Sequence, residues 1–354
     1  MKIKEQIIWI EYLRVVACFS VVLLHVAAWN ISSASHPSAQ WDSYFLYNGI
    51  TRFAVPVFVM ISGCLYLDKA REISFEKLFK KYILKFLILY VVWVLFYAFM
   101  DTQTFQLKEY EGAKGILQFA ILSPKYHLWY LPMMIGLLLI TPVAKAVVNS
   151  KDSKKLCEYI IILFLLFKVL KPSLLMFELE KETYIRAVLN LLNPDMVCNW
   201  VGFYILGHYL AEYQLPKYWN KIIYVLGLAG ILFAIYQSNI VSIAQGKINA
   251  SFYANFSLFS TIWSIAVFVL IKETISKVSV SKNMTVLILN ISKYTLGIYL
   301  LHPFVRDVLQ ILHIDTTIGN AFIITPLLSL VIFALSYFIA FVLKKVPIVG
   351  KWIV

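Results

Sequence analysis

The chain has 354 residues, of which 61% are hydrophobic and only 14% are charged, and its mean hydropathy is +0.77. Soluble proteins carry about a quarter charged residues, so most of this surface must face lipid. The net charge is +13, and we identify no soluble domain that would carry this positive charge. We therefore expect membrane lipids or an anionic cytoplasmic ligand as partners of the basic residues, and no nucleic acid.

Apolar segments long enough to cross a membrane, about 20 residues each, follow one another along the chain. They predict an all-α, polytopic integral membrane protein of about ten transmembrane helices, at roughly 7–29, 44–67, 83–100, 128–148, 156–176, 196–213, 221–237, 253–271, 288–305 and 322–343. The ninth is the weakest, because Ser292, Lys293 and Thr295 interrupt it. Glu11 and Arg14 interrupt the first, which we interpret as a retained helix and not as a signal peptide.

The distribution of basic residues predicts the orientation in the membrane. With a cytoplasmic N-terminus, 21 of the 32 Lys and Arg residues lie inside, nine lie outside, and Arg14 and Arg52 lie within helices. Both termini are therefore expected in the cytoplasm, and the protein is expected to be a multi-pass protein of the cell membrane. We predict a single transmembrane domain over 1–354, with no appended soluble domain; the sequence leaves the oligomeric state open.

Cysteine usage indicates neither a disulfide framework nor a thiolate metal site. No CxxC pair occurs, and each cysteine lies in or beside an apolar segment. We expect all four to be small core residues: Cys18, Cys64, Cys157 and Cys198.

The first helix carries three ionisable residues, Glu11, Arg14 and His25. Charged residues within membrane helices are functional candidates, because each costs about 2.5–3.5 kcal/mol on insertion scales. Arg14 and His25 are eleven residues apart, so they share one helix face about 16 Å apart, and Glu11 is close enough to pair with Arg14. The structural alternatives are that Arg14 extends its side chain to the membrane interface, and that His25 only packs between helices.

The second helix contains Arg52, which we expect at the depth of His25 and interpret as functional. Pro56 should free a backbone carbonyl and kink the helix. Ser62 and Gly63 permit close helix packing, and we favour that role for both, although Ser62 is also a candidate to line a site.

The fourth helix opens with His127, Trp129 and Tyr130, and the ninth ends with His302. An aromatic belt explains Trp129 and Tyr130, whereas it explains His127 less well. For His302, a polar helix end and a functional role remain equally open.

One feature unites residues from four separate helices: under the predicted topology all of them reach the outer half of the membrane. They are His25, Arg52, His127 and His302. The coincidence predicts a site there. A metal centre built from the three histidines is one alternative, but no H-x-x-x-H or H-E-x-x-H spacing supports it, and we expect no metal.

These motifs resemble the acyltransferase 3 family of polytopic membrane acyltransferases. The resemblance rests on Arg14, ten residues, then His25 in the first helix, with Glu11 three residues before the arginine. It is extended by Arg52 to Gly63, at slightly longer spacing than the family pattern, by His127 to Leu131, and by Gly297 to His302. Four motifs in order cover essentially the whole chain.

The resemblance implies acyl transfer from acyl-CoA, usually acetyl-CoA, to a hydroxyl of an extracytoplasmic glycan or lipid-linked sugar. No cofactor would be bound permanently, since acyl-CoA is a co-substrate. Some relatives carry a fused extracellular hydrolase-like domain that completes the transfer; we expect direct transfer within the membrane domain here.

Donor-binding and acceptor-binding residues are expected at different depths along the first helix. The donor would be bound by Arg14, supported by Glu11, and by the basic loop. In that loop the binding residues would be Lys77, Lys80 and Lys81. His25 would act as general base on the acceptor hydroxyl, with an acyl-histidine intermediate as the alternative. Arg52 or His127 would stabilise the oxyanion, and the remaining candidates would line the acceptor side: Trp129, Tyr130, Ser62 and His302.

The competing hypothesis from another class is a transporter or flippase for a lipid-linked sugar, because intramembrane charges also mark substrate pathways. We see no clear inverted repeat of interrupted helices, which disfavours it.

Overall fold

A computed structural model describes residues 2–104, 112–175 and 199–352, and every regular element in those ranges is helical. A helix satisfies its own backbone hydrogen bonds, as lipid requires. In chain order the helices are α1 (Lys2–Ala27), α2 (Ala39–Ile50), α3 (Ala54–Tyr66), α4 (Phe75–Thr104), α5 (Gly112–Leu122), α6 (Tyr130–Val148), α7 (Ser153–Leu163, continued by Phe164–Leu170 and Lys171–Leu175), α8 (Trp200–Glu212), α9 (Lys217–Gln245), α10 (Leu258–Lys277), α11 (Lys282–Ser292), α12 (Thr295–Ile311), α13 (Ala321–Leu343) and α14 (Pro347–Trp352).

Within the described ranges, seven helical segments are long and apolar enough to cross a membrane, or eight if α11 and α12 form one span. The protein is therefore a multi-pass membrane protein. The predicted fifth and sixth spans extend into 176–198, outside the described residues. The described part of the fifth span, α7, contacts other segments near both of its ends. Ser153 Oγ lies 3.0 Å from the Tyr213 hydroxyl, and the Leu258 amide donates to Ser173 Oγ at 2.8 Å. Ten spans and two cytoplasmic termini stay predictions.

Two predicted spans are interrupted where the sequence is unfavourable for a helix. The ninth divides into α11 and α12, which meet at 65°, at the polar stretch that weakened its prediction. The second divides at 51–53. Pro56 has no N–H for the carbonyl of Arg52, four residues earlier, and its ring would collide with that carbonyl in a continuous helix. Arg52 therefore lies at the break between α2 and α3.

Helices α3 and α8 approach so closely that only glycine fits at two contacts. A Cβ atom on Gly63 would lie 1.9 Å from the Tyr204 carbonyl oxygen, and one on Gly207 would lie 2.1 Å from that of Met60. Cys64 Sγ also donates to the Gly207 carbonyl at 3.1 Å. The packing role predicted for Gly63 is thus the observed one.

Three of the cysteines are buried with free thiols, as their sequence positions predict: Cys18, Cys64 and Cys157. Cys198 lies outside the described residues.

Candidate active site

A cavity of about 450 Å³ lies between α1, α3, α4, α6 and α12, within the ~300–1,000 Å³ range of small-molecule sites. Helix α1 contributes Arg14, Val21, Leu24 and His25 to its wall, so the cavity follows that helix for about 16 Å. We refer to its two ends as the Arg14 end and the His25 end. Seven of the predicted site residues line it: Arg14, His25, Arg52, Ser62, His127, Trp129 and Tyr130.

His25 is hydrogen-bonded to His302, which lies on α12. His25 Nδ1 is 2.8 Å from His302 Nε2, and His302 Nδ1 is 2.7 Å from the Tyr299 carbonyl oxygen. A carbonyl oxygen can only accept, so His302 Nδ1 carries a proton. In a neutral imidazole Nε2 then accepts, and His25 Nδ1 must donate to it. The partners therefore assign the tautomer and leave His25 Nε2 free to accept a proton.

His127 lies beside this pair, in the turn before α6. Its ring centroid is 5.4 Å from that of His302 and 5.2 Å from that of Tyr97. The residue is only 2% exposed, and neither ring nitrogen has a hydrogen-bond partner. Burial lowers the pKa of His127 well below its ordinary value, so one nitrogen is a donor and the other an acceptor. Tyr299 fixes the backbone by donating its hydroxyl to the His127 carbonyl.

Arg52 is held by neutral groups. Its Nε and Nη2 atoms donate to Asn48 Oδ1 at 2.9 Å and 2.5 Å, and its guanidinium lies 5.3 Å from the centroid of the Tyr253 ring. Among the residues that the structure describes, no carboxylate pairs with it.

Arg14 pairs with Glu11 across one helical turn, as their spacing predicts, with Nη1 2.6 Å from Glu11 Oε2. Glu11 does not line the cavity, so it supports Arg14 from behind. Tyr66 and Tyr130 line the same cavity, and Ser62 donates to the Phe58 carbonyl at 2.9 Å.

The predicted basic loop is helical: Lys77, Lys80 and Lys81 lie in the first turns of α4, and none of them lines the cavity. Its three lysines are exposed, and Lys80 pairs with Glu76 at 2.9 Å. Aromatic contacts link Arg71 and Lys81 to Tyr66 of the cavity wall, because the rings of Tyr82 and Tyr66 pack with centroids 5.4 Å apart. The guanidinium of Arg71 lies 5.0 Å from the ring of Tyr66 and donates to the Tyr82 hydroxyl at 2.9 Å. Lys81 Nζ lies 5.9 Å from the Tyr82 ring. Arg71, which contacts the cavity-lining Tyr66, was not among the predicted donor-binding residues.

Trp129 and His302 complete the predicted set. Trp129 lines the cavity while 43% exposed, and its ring packs on Trp200 at 5.6 Å. His302 is buried behind His25 and does not line the cavity.

In the described parts of the chain, no group of three or more His, Cys, Asp or Glu side chains is arranged to hold a metal ion. The three histidines adjoin, but both ring nitrogens of His302 are already engaged by His25 and Tyr299.

Comparison with known proteins gives one match. An acyltransferase domain, that of the acyltransferase 3 family, matches residues 7–345. This chain belongs to that family. The expected resemblance is therefore confirmed, and the protein is a membrane acyltransferase. No curated protein and no solved structure matches the chain.

In this acyltransferase a charged cluster that the sequence analysis missed adjoins the histidines. Lys125 Nζ lies 2.7 Å from Asp101 Oδ1 and 2.8 Å from Asp307 Oδ2. Arg306 pairs with Asp307 at 2.5 Å and donates to the Tyr126 hydroxyl at 3.0 Å. The Tyr126 ring in turn contacts that of His25, with centroids 4.8 Å apart. The sequence shows these residues only as loop and helix-end charges.

Proposed function

We propose that this acyltransferase moves an acyl group, most simply acetyl, from cytoplasmic acyl-CoA to a hydroxyl of an extracytoplasmic glycan or lipid-linked sugar. One observation carries the proposal: a single cavity reaches from Arg14 to a histidine whose Nε2 is free to accept a proton. Its length, about 16 Å along α1, is of the order of an extended pantetheine arm.

The donor would enter at the Arg14 end. Arg71 and the exposed lysines offer positive charge to the CoA phosphates there, and the pantetheine arm would run along α1. The thioester would then lie beside His25, while the acceptor hydroxyl would enter from the opposite end.

The reaction requires one proton to be moved twice. His25 Nε2 takes the proton of the acceptor hydroxyl as its oxygen attacks the thioester carbonyl. The tetrahedral oxyanion collapses, the carbon–sulfur bond breaks, and the CoA thiolate receives the proton from His25. An ester and free CoA result. His127 through a ring N–H, or Arg52, would stabilise the oxyanion, and His302 would hold His25 in the required tautomer.

Purified protein with labelled acetyl-CoA and a panel of glycans, read by mass spectrometry, tests the proposal. His25→Ala should insert and fold but lose transfer by about 10²–10⁴-fold, the contribution of a general base. Undiminished acylation by His25→Ala at normal expression would refute the catalytic assignment. Movement of a lipid-linked sugar across vesicles without any acylated product would favour the transporter hypothesis.

A further inference from the structure

Arg52 differs from the other arginines of the described helices that could cross the membrane. Arg14 pairs with Glu11, and Arg306 pairs with Asp307. Among the described residues, the partners of the Arg52 guanidinium are an amide oxygen and an aromatic face. A charge within a membrane span that no counter-charge balances is costly and usually marks a substrate pathway.

The cavity that Arg52 lines is short of negative charge. Its described wall contains two arginines but no aspartate or glutamate. Since Glu11 already neutralises Arg14, Arg52 supplies the unbalanced charge. It shares the cavity wall with His25, Trp129 and Asn255, which are neutral polar or aromatic groups of the kind that contact sugars.

Since no carboxylate of the described residues pairs with Arg52, we look for its anion among the reactants. The phosphates of CoA would lie at the Arg14 end, and the thioester that reaches His25 carries no charge. A tetrahedral oxyanion is a short-lived intermediate, so it leaves the charge of Arg52 unbalanced while the substrates are bound. The acceptor is the remaining source of a lasting negative charge.

We propose that Arg52 binds an anionic group of the acceptor, a carboxylate or a phosphate, so that the substrate is an acidic sugar or a sugar phosphate. The inference rests on the proposed function and names its acceptor class. The planar guanidinium suits both groups because its N–H donors form a fork that matches two oxygens. Arg52 would thus fix the acceptor while its hydroxyl meets His25.

Matched acceptor pairs test this charge requirement. One pair is a uronate-bearing glycan and its neutral carboxyl methyl ester. The other is a lipid-linked sugar phosphate, in which the phosphate is a diester, and its neutral phosphate methyl ester. We would measure kcat/KM with labelled acetyl-CoA for the wild type, Arg52→Gln and Arg52→Lys. Lys247→Gln is the control, since it removes one positive charge from an exposed loop position.

The wild type should prefer the charged member of one pair by about tenfold or more, which corresponds to about 1.4 kcal/mol. That pair distinguishes a sugar carboxylate from a carrier phosphate. In Arg52→Gln the ratio should fall towards one, in Arg52→Lys it should be intermediate, and in Lys247→Gln it should persist.

Equal wild-type rates on both members of each pair would overturn the inference while leaving the acyltransferase assignment intact, and this comparison requires no variant to fold. An undiminished ratio in Arg52→Gln would also overturn it. If neither pair is acylated, and no glycan of the panel stimulates the release of free CoA, both the proposed function and the inference are overturned.

Discussion

Replacement of His302 by leucine tests the hydrogen-bonded pair directly. Leucine fills a similar buried volume but offers no acceptor to His25 Nδ1, which His302 Nε2 contacts at 2.8 Å. Without that acceptor, the His25 proton is free to sit on Nε2, the atom that accepts the proton of the acceptor hydroxyl in the proposed mechanism. His302 does not line the cavity, so the loss should affect the chemical step and not donor binding.

The magnitude follows from what the pair supplies. A neutral hydrogen bond contributes about 0.5–1.5 kcal/mol, which alone corresponds to a factor of about 2–13. Loss of the tautomer adds to this, up to the whole contribution of a general base, about 10²–10⁴-fold. We therefore expect kcat of His302→Leu to fall by about 10²-fold, with KM for acyl-CoA within about twofold of the wild type. The decrease should be smaller than that of His25→Ala.

His302→Gln separates positioning from packing, because its amide oxygen can accept the His25 proton. It should recover about 2- to 13-fold over leucine, the factor that one such hydrogen bond of about 0.5–1.5 kcal/mol supplies. Steady-state acyl transfer in detergent, with thermal unfolding as the folding control, provides both measurements. The reasoning fails if His302→Leu keeps wild-type kcat, or if glutamine and leucine are equally impaired in well-folded protein.

Three further predictions concern donor binding, packing and topology. Arg14→Ala should weaken acyl-CoA binding by about 1.5–3 kcal/mol, the range for a hydrogen bond to a charged group, whereas His25→Ala should leave it nearly unchanged; titration of acyl-CoA that gives the reverse order would contradict the proposed division of α1. Gly63→Ala should destabilise the protein by about 1–3 kcal/mol or more through overpacking, while Gly136→Ala, where a Cβ atom would meet nothing within 4 Å, should not, as thermal unfolding would show. A topology reporter fused after Val354 should be active on the cytoplasmic side, and activity only outside the cell would overturn the orientation.

Local regularities of the sequence predicted part of the cavity wall. Arg14 and His25 fall on one helix face because eleven residues make about three turns, and both line the cavity. The interruption of the ninth segment followed from three polar residues, and α11 and α12 meet there at 65°. Both inferences need only the helical repeat and the cost of polar groups in lipid.

Contacts between distant segments could not be predicted in the same way. His25 and His302 are 277 positions apart, and no periodicity indicates which nitrogen meets which. The cluster around Lys125 draws its carboxylates from α4 and α12. In the sequence, these charges could be counted only towards the membrane orientation, because pairing depends on how the helices pack.

The middle of the cavity bears on the proposed transfer between two aqueous compartments. Between Arg14 and His25 its wall includes Val21 and Leu24 of α1, and Ile61 of α3. Apolar walls exclude water, so a thioester held there would be protected from hydrolysis until a hydroxyl reaches His25. The charges that bind each reactant then belong at opposite ends, with the reacting carbon between them. If this geometry is used as proposed, we expect free CoA to be released slowly without acceptor and rapidly in its presence.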